Sequence, residues 1–243
     1  MATKHGRGGN TASACGPGHI AIIPDGNRRW ARLNRFGLLK GYSSGITRII
    51  DVCIWAKRYG VRTMSIWALS TENAISRSRS ELSLLYRLYT KTVYDKKILR
   101  TLSDNQASVH IVGNLSALPK RLRGGLLMLE KKTEAYKELS INLLVGYGGR
   151  DDILHAIESS GRRHGAKGKL GYDSARSMLM TSQIPDVDLI IRTSGEQRLS
   201  GILPWQSNYS ELYFARKYWP DFGRADLKRA IYAFRARQRR FGR

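Results

Sequence analysis

A single α/β domain with a mostly parallel central sheet flanked by helices is the fold class this chain predicts, on three observations. Short apolar runs alternate with longer stretches of helical periodicity, the pattern of strand and helix units. The runs, typified by Leu189-Ile190-Ile191, are continuously apolar instead of alternating, as strands covered on both faces require. Polar clusters close several of them, and in such folds ligands bind at the carboxyl ends of the strands. With 243 residues and 42% hydrophobic content, the chain can bury one sizeable core.

In chain order, residues 1–18 are glycine-rich, small and polar, and are expected to form a flexible leader. Residues 19–243 form the folded domain. His19 to Ile23 is the first strand. Ile46 to Tyr59 is a helix, with Ile46, Ile49, Ile50, Cys53 and Ile54 on its apolar face and Gly60 as C-cap. Thr63 to Leu69 is the second strand, and Glu81 to Leu102 reads as one long helix. A strand from Val109 to Gly113, a helix from Leu118 to Leu139 and a strand from Ser140 to Val145 follow. Ile153 to Ser159 and Ser174 to Thr181 are helical, and the glycine-rich, basic stretch Gly161 to Gly171 between them is a solvated loop. After the strand at Leu189 and an aromatic segment, Glu211 to Phe214, Trp219-Pro220-Asp221-Phe222 is a stop, and Arg224 to Arg239 is the last helix. No internal repeat is visible.

Composition bounds the function. A formal net charge of +23 favours anionic partners: nucleic acid, an anionic membrane surface or a phosphorylated substrate. No apolar run approaches the length of a membrane span, so any membrane contact is expected to be peripheral. Two cysteines, Cys15 and Cys53, give neither a disulfide framework nor a zinc spacing, and the chain reads as cytoplasmic. No nucleic-acid-binding motif is present, and the arginines gather in loops suited to phosphate oxygens, so no nucleic-acid partner is expected.

Those loops carry the chemistry. Asp25, Gly26, Asn27, Arg28 and Arg29 follow the first strand, placing a carboxylate, a close-approach backbone and cations at the sheet edge; the composition suits a magnesium diphosphate. Ser70, Thr71, Glu72 and Asn73 close the second strand. Gly148 to Asp152 close the fourth. Arg192 to Ser200, RTSGEQRLS, combine small residues, hydroxyls and the guanidiniums of Arg192 and Arg198, a cradle for a second diphosphate. Read alone, Asp-Gly-Asn is a common turn and the arginines are solvated. Convergence of the clusters on one edge argues for an enzyme.

The segments HIAIIPDGNRRWA, SIWALSTEN, VGYGGRDDI and DLIIRTSGEQRLSGILPWQSNYSELYFARKYWPDF resemble the signature segments of the cis-prenyltransferases, the undecaprenyl diphosphate synthase family, in order from His19 to the tail Arg240-Phe241-Gly242. The resemblance implies that Asp25 binds Mg2+ and assists departure of an allylic diphosphate held by Gly26, Asn27, Arg28 and Arg29 beside Trp30. Ser70, Thr71, Glu72 and Asn73 would line the reacting centre, with Asn73 the position associated with proton removal and Arg77 a further substrate contact. Arg192, Arg198 and Ser200 would hold the second diphosphate, and Glu211 would be a further metal ligand. A homodimer is implied, with Arg240 and Gly242 reaching the second diphosphate site across the interface.

Three departures bear on the product. Leu38 stands where the family has an arginine and Tyr42 where it has the histidine of a Gly-His pair, which removes a cation and an imidazole from the first site; Lys40 lies between them. Ala74-Ile75-Ser76-Arg77 replaces the usual sequence after Asn73. Leu144-Val145-Gly146 adds bulk near the expected product tunnel, which should stop elongation early. The expectation is a short product, with irregular, branched coupling of the lavandulyl type to dimethylallyl diphosphate preferred over regular Z-chain elongation with isopentenyl diphosphate. A noncatalytic partner subunit or a nucleic-acid-binding protein are the other classes considered.

Overall fold

In the computed structural model of the protein, which describes residues 16–164 and 171–237, one sheet organises the chain. Its strands are β1 (His19–Ile23), β2 (Thr63–Ser70), β3 (Ala107–Val112), β4 (Leu139–Tyr147), β5 (Leu189–Arg192) and β6 (Glu211–Phe214). They lie in the order β3-β4-β2-β1-β5-β6, every neighbouring pair parallel. The expected mostly parallel sheet is what forms, and the strand period of two explains the continuous apolar runs. Ile20 and Ile22 enter the larger core with Met64, Ile66, Leu189 and Ile191, whereas Ala21 and Ile23 enter a smaller one with Trp67, Leu144, Tyr147 and Ile190.

The helices are α1 (Asn27–Leu33), α2 (Leu38–Arg58), α3 (Thr71–Ser76), α4 (Arg79–Val93), α5 (Lys96–Asp104), α6 (Lys120–Thr133), α7 (Gly149–His164), α8 (Tyr172–Ser177) and α9 (Arg224–Ala236), with a 3-10 turn at Trp219–Asp221. Several boundaries differ from the sequence expectation. The long helix from Glu81 breaks after Val93, because the Asp95 carboxylate accepts from the Lys97 amide at 2.8 Å and starts α5 as its N-cap. The helix expected through Leu139 ends at Thr133, and Leu139 instead opens β4 opposite Ala107. Gly161 to His164 belong to α7, while residues 165–170 of the expected loop lie outside the described residues. Gly18, assigned to the leader, is part of the fold: its amide donates to Asp188 Oδ2 at 2.9 Å and its carbonyl accepts from the Arg62 amide. Among the described residues no helix is long and apolar enough to cross a membrane.

Candidate active site

The central strands β1 and β5 pair with Ile23 opposite Arg192, so Asp25 leaves one strand where Arg192 ends its neighbour. The Asp25 backbone is fixed by two donors to its carbonyl, Thr193 Oγ1 at 2.7 Å and the Trp219 amide at 3.0 Å. Gly26 turns the chain at φ 102°, and a Cβ there would stand 2.6 Å from Tyr218 Cδ1, so both the conformation and the space call for glycine. In the facing loop Ser194 and Ser200 have φ of 71° and 54°, a conformation disfavoured for side-chain-bearing residues and common where a loop is held for function.

The side chains form one charge network. Arg192, buried at the end of β5, donates to Asp25 Oδ2 at 2.9 Å, to Ser200 Oγ at 2.8 Å and to the Arg198 carbonyl at 2.6 Å. Arg29 donates to Asp25 Oδ1 at 3.1 Å, Ser194 Oγ at 2.6 Å and Glu196 Oε1 at 2.7 Å. Glu196 also accepts from Arg198 at 2.5 Å. Burial by itself would raise the Asp25 pKa, but the hydrogen bond and charge of Arg192, joined by Arg29, reverse this and hold the carboxyl below its usual range. Hydrogen bonds from Arg29 and Arg198 likewise lower Glu196.

These groups line a cavity of about 890 Å³, within the size range of small-molecule sites. Of the expected site residues, Asp25, Gly26, Asn27, Arg28, Arg29, Tyr42, Ser70, Glu72, Asn73, Arg77, Arg192, Arg198 and Ser200 line it. Trp30 does not: its indole donates to Asp221 Oδ1 at 2.8 Å and its ring packs on Phe36. Thr71 does not either, sitting in the first turn of α3 that Ser70 caps by accepting from the Asn73 amide. Glu211 is not brought to Asp25 within the chain. It opens β6 opposite Leu189, three residues and roughly 10 Å upstream of the edge where Arg192 pairs with Phe214, and binds Arg237 at 2.6 Å. Arg240 and Gly242 lie outside the described residues.

Glu81 and Glu196 are the acids that the sequence reading passed over. Glu81, buried, accepts the Tyr42 hydroxyl and lies 3.3 Å from Arg77 Nε and 3.5 Å from Arg28 Nη1. Burial and the bond to Glu81 raise the Tyr42 pKa, so the phenol stays neutral. The signal for Glu81 was its place three residues after Ser78, whose hydroxyl accepts from the Glu81 amide at 3.3 Å; for Glu196 it was an acid between two arginines. A second, apolar cavity of about 110 Å³ shares Ile46, Ile49, Ala68 and Tyr89 with the first and runs between α2 and the sheet. Val145 lines it, whereas Leu144 faces the smaller core on the other side of the sheet.

A sheet-edge cavity with a paired carboxylate, clustered guanidiniums and an apolar extension fits a ligand with a diphosphate head and a hydrocarbon tail. The prenyltransferase family model for undecaprenyl diphosphate synthase matches residues 23–242. The chain belongs to that family. It is a prenyltransferase. Among its cis-prenyltransferase relatives, the tritrans,polycis-undecaprenyl-diphosphate synthase (geranylgeranyl-diphosphate specific) of Thermoplasma acidophilum is 41% identical, over 93% of this chain and 89% of that protein. An isoprenyl transferase of Thermus thermophilus is 36% identical over the same shares. The crystal structure of lavandulyl diphosphate synthase from Lavandula x intermedia in complex with dimethylallyl diphosphate is similar at a TM-score of 0.87 and 33% identity, covering 93% of this chain and 98% of that one.

Proposed function

We propose that this cis-prenyltransferase joins an allylic diphosphate (dimethylallyl, geranyl or farnesyl) to dimethylallyl diphosphate, giving a short, branched prenyl diphosphate. The observation that carries the reading is the first site's altered wall. Tyr42 replaces an imidazole and commits its hydroxyl to Glu81, and Leu38 is not among the residues lining the cavity. The donor diphosphate is then held by Arg28, Arg29 and the backbone at Gly26. A second support is the size of the apolar chamber: at about 110 Å³ it is smaller than a cavity of about 150 Å³ that accommodates benzene, so it has room for about one five-carbon unit.

Magnesium fits this donor set. Such ions are held by one or two carboxylates together with substrate phosphates, and Asp25 presents an ionised carboxylate at the cavity wall; its oxygens accept from Arg29 and Arg192, one of which would turn to the substrate phosphates as the ion took its place. Bound with the diphosphate, the ion supplies charge neutralisation as the leaving group departs. Arg29 adds a fixed positive charge where the allylic C–O bond breaks and its electrons pass to the diphosphate. Arg192, whose buried Nε has no hydrogen-bond partner among the described residues, offers that donor with Arg198 and Ser200 to the acceptor diphosphate. The acceptor double bond attacks the allylic cation, and the proton then lost at the cavity wall beside Asn73 passes to the departed diphosphate. Glu211, remote from Asp25 in its own chain, enters such a site only through an assembly; exposed Ile153, Leu154 and Ile157 on α7 support a homodimer.

Regular Z-chain elongation with isopentenyl diphosphate is the second reading, favoured by the undecaprenyl synthase relatives. The test is to incubate the protein and magnesium with each allylic diphosphate, with and without isopentenyl diphosphate, and to identify the dephosphorylated products. A branched product formed without isopentenyl diphosphate is expected. A linear Z-product that requires it overturns branched coupling. The double variant Leu38→Arg/Tyr42→His is expected to shift products toward the linear class.

A further inference from the structure

We infer that the tip joining α1 to α2 is a membrane-docking element that seats the protein on an anionic lipid bilayer. From Arg32 to Lys40 every residue is exposed, and four of them are large and apolar: Leu33 at 72%, Leu39 at 55%, Phe36 at 47% and Leu38 at 40%. The tip is nevertheless ordered by hydrogen bonds. The Phe36 amide donates to the Ala31 carbonyl at 2.8 Å and the Arg35 amide to the Arg32 carbonyl at 3.1 Å, a helix-ending motif with Arg35 at φ 56° in the position that glycine usually takes. The hairpin is packed tightly at its base, where a Cβ on Gly41 would stand 2.7 Å from the Asn27 carbonyl oxygen. The apolar side chains are therefore held outward on a fixed support.

Charge identifies the occupant. From Asn27 to Arg48 the sequence holds Arg28, Arg29, Arg32, Arg35, Lys40 and Arg48, and no acid. Arg28, Arg29 and Arg48 are engaged with Glu81, Asp25, Glu196 and Asp51, but Arg32, Arg35 and Lys40 form no ion pair among the described residues. Unpaired cations interleaved with exposed leucines and a phenylalanine are what an interfacial contact needs: the cations meet lipid phosphates while the apolar side chains enter the headgroup boundary. A second protein copy would bring the same cations against themselves. Docking here also places the catalytic cavity, walled by Arg28, Arg29 and Tyr42 of the same two helices, beside the bilayer. The inference does not depend on branched or regular coupling.

The test is sedimentation of the full chain with vesicles of phosphatidylcholine containing phosphatidylglycerol, against pure phosphatidylcholine. Binding to the anionic vesicles that weakens with salt is expected. Arg32→Gln/Arg35→Gln should lower the partition coefficient about 30-fold, since each cation near an anionic surface is worth about a factor of five, and Leu33→Ser/Leu39→Ser about tenfold or more. Both variants should keep their turnover of soluble substrates. Arg87→Gln/Lys91→Gln, on the exposed face of α4, should bind as the unaltered chain does. Three results would each overturn the inference: no binding to anionic vesicles; loss in the α4 variant but not in the tip variants; or a tip whose substitution alters only oligomeric state.

Discussion

Replacing Arg192 by glutamine tests the charge network where the two proposed diphosphate sites meet. Arg192 is 5% exposed, and its guanidinium is shared among Asp25, Ser200 and the Arg198 carbonyl. Breaking a buried ion pair by removing one partner costs about 3–5 kcal/mol. Asp25 is 28% exposed and keeps Arg29 at 3.1 Å, so solvent screening and the remaining partner bring the expected loss to about 2–3 kcal/mol. For a chain of this size that lowers Tm by roughly 4–12 °C. The loss should depend on pH with a definite sign. Asp25 has a depressed pKa, so its contribution is present above the unfolded carboxyl pKa of about 4 and disappears as pH falls through the lower folded value. In Arg192→Gln the burial that raises the pKa remains while the main lowering cause is gone. The Tm gap between the two proteins should therefore be widest near neutrality and shrink in acid. A gap that is unchanged by acidification, or no gap at neutral pH, refutes the assignment of Arg192 as the group that keeps Asp25 ionised.

Four further outcomes are expected. Asp25→Asn should lower turnover by about a thousandfold, measured as diphosphate-dependent product formation, because a neutral amide neither ligates magnesium well nor balances Arg29 and Arg192. Arg198→Ala should raise KM for the acceptor about tenfold or more, from the loss of a charge-assisted contact of about 1.5–3 kcal/mol; its side chain is largely exposed and anchored on Glu196, so Tm should barely move. Gly26→Ala, forced into the left-handed region against Tyr218, should cost about 1–3 kcal/mol in urea unfolding and much of the activity. Tyr42→Phe removes the hydroxyl that Glu81 accepts and should cost about 1 kcal/mol in the same assay, leaving Arg28 and Arg77 to hold the carboxylate.

The parallel sheet was legible in the sequence because its cause is local: strands covered on both faces must be continuously apolar, as Ile20 to Ile23 and Leu189 to Ile191 are. The loops that carry Asp25, Ser70 and Arg192 were legible for the same reason, since a polar cluster after such a run marks a strand's carboxyl end. Boundaries set by single hydrogen bonds were less so. The Asp95 cap that divides α4 from α5 competes with an apolar pattern running through it, and α1 begins within a polar stretch that reads as a loop. Glu211 to Phe214 is only four residues long and half-buried, too short to announce itself as a strand, and becomes one by pairing with β5.

What only the tertiary structure decided is which charges meet. Sequence supplied Tyr42 as a missing imidazole, but its partner Glu81 lies on another helix, and the bond that withdraws the hydroxyl exists because α2 and α4 pack side by side. The family resemblance implied Asp25 and Glu211 as metal ligands, yet parallel register puts Glu211 at the start of its strand and Asp25 beyond the end of another. The type of each side chain is fixed by the sequence, while electrostatic coupling falls with distance and depends on burial, and both are properties of the packed sheet.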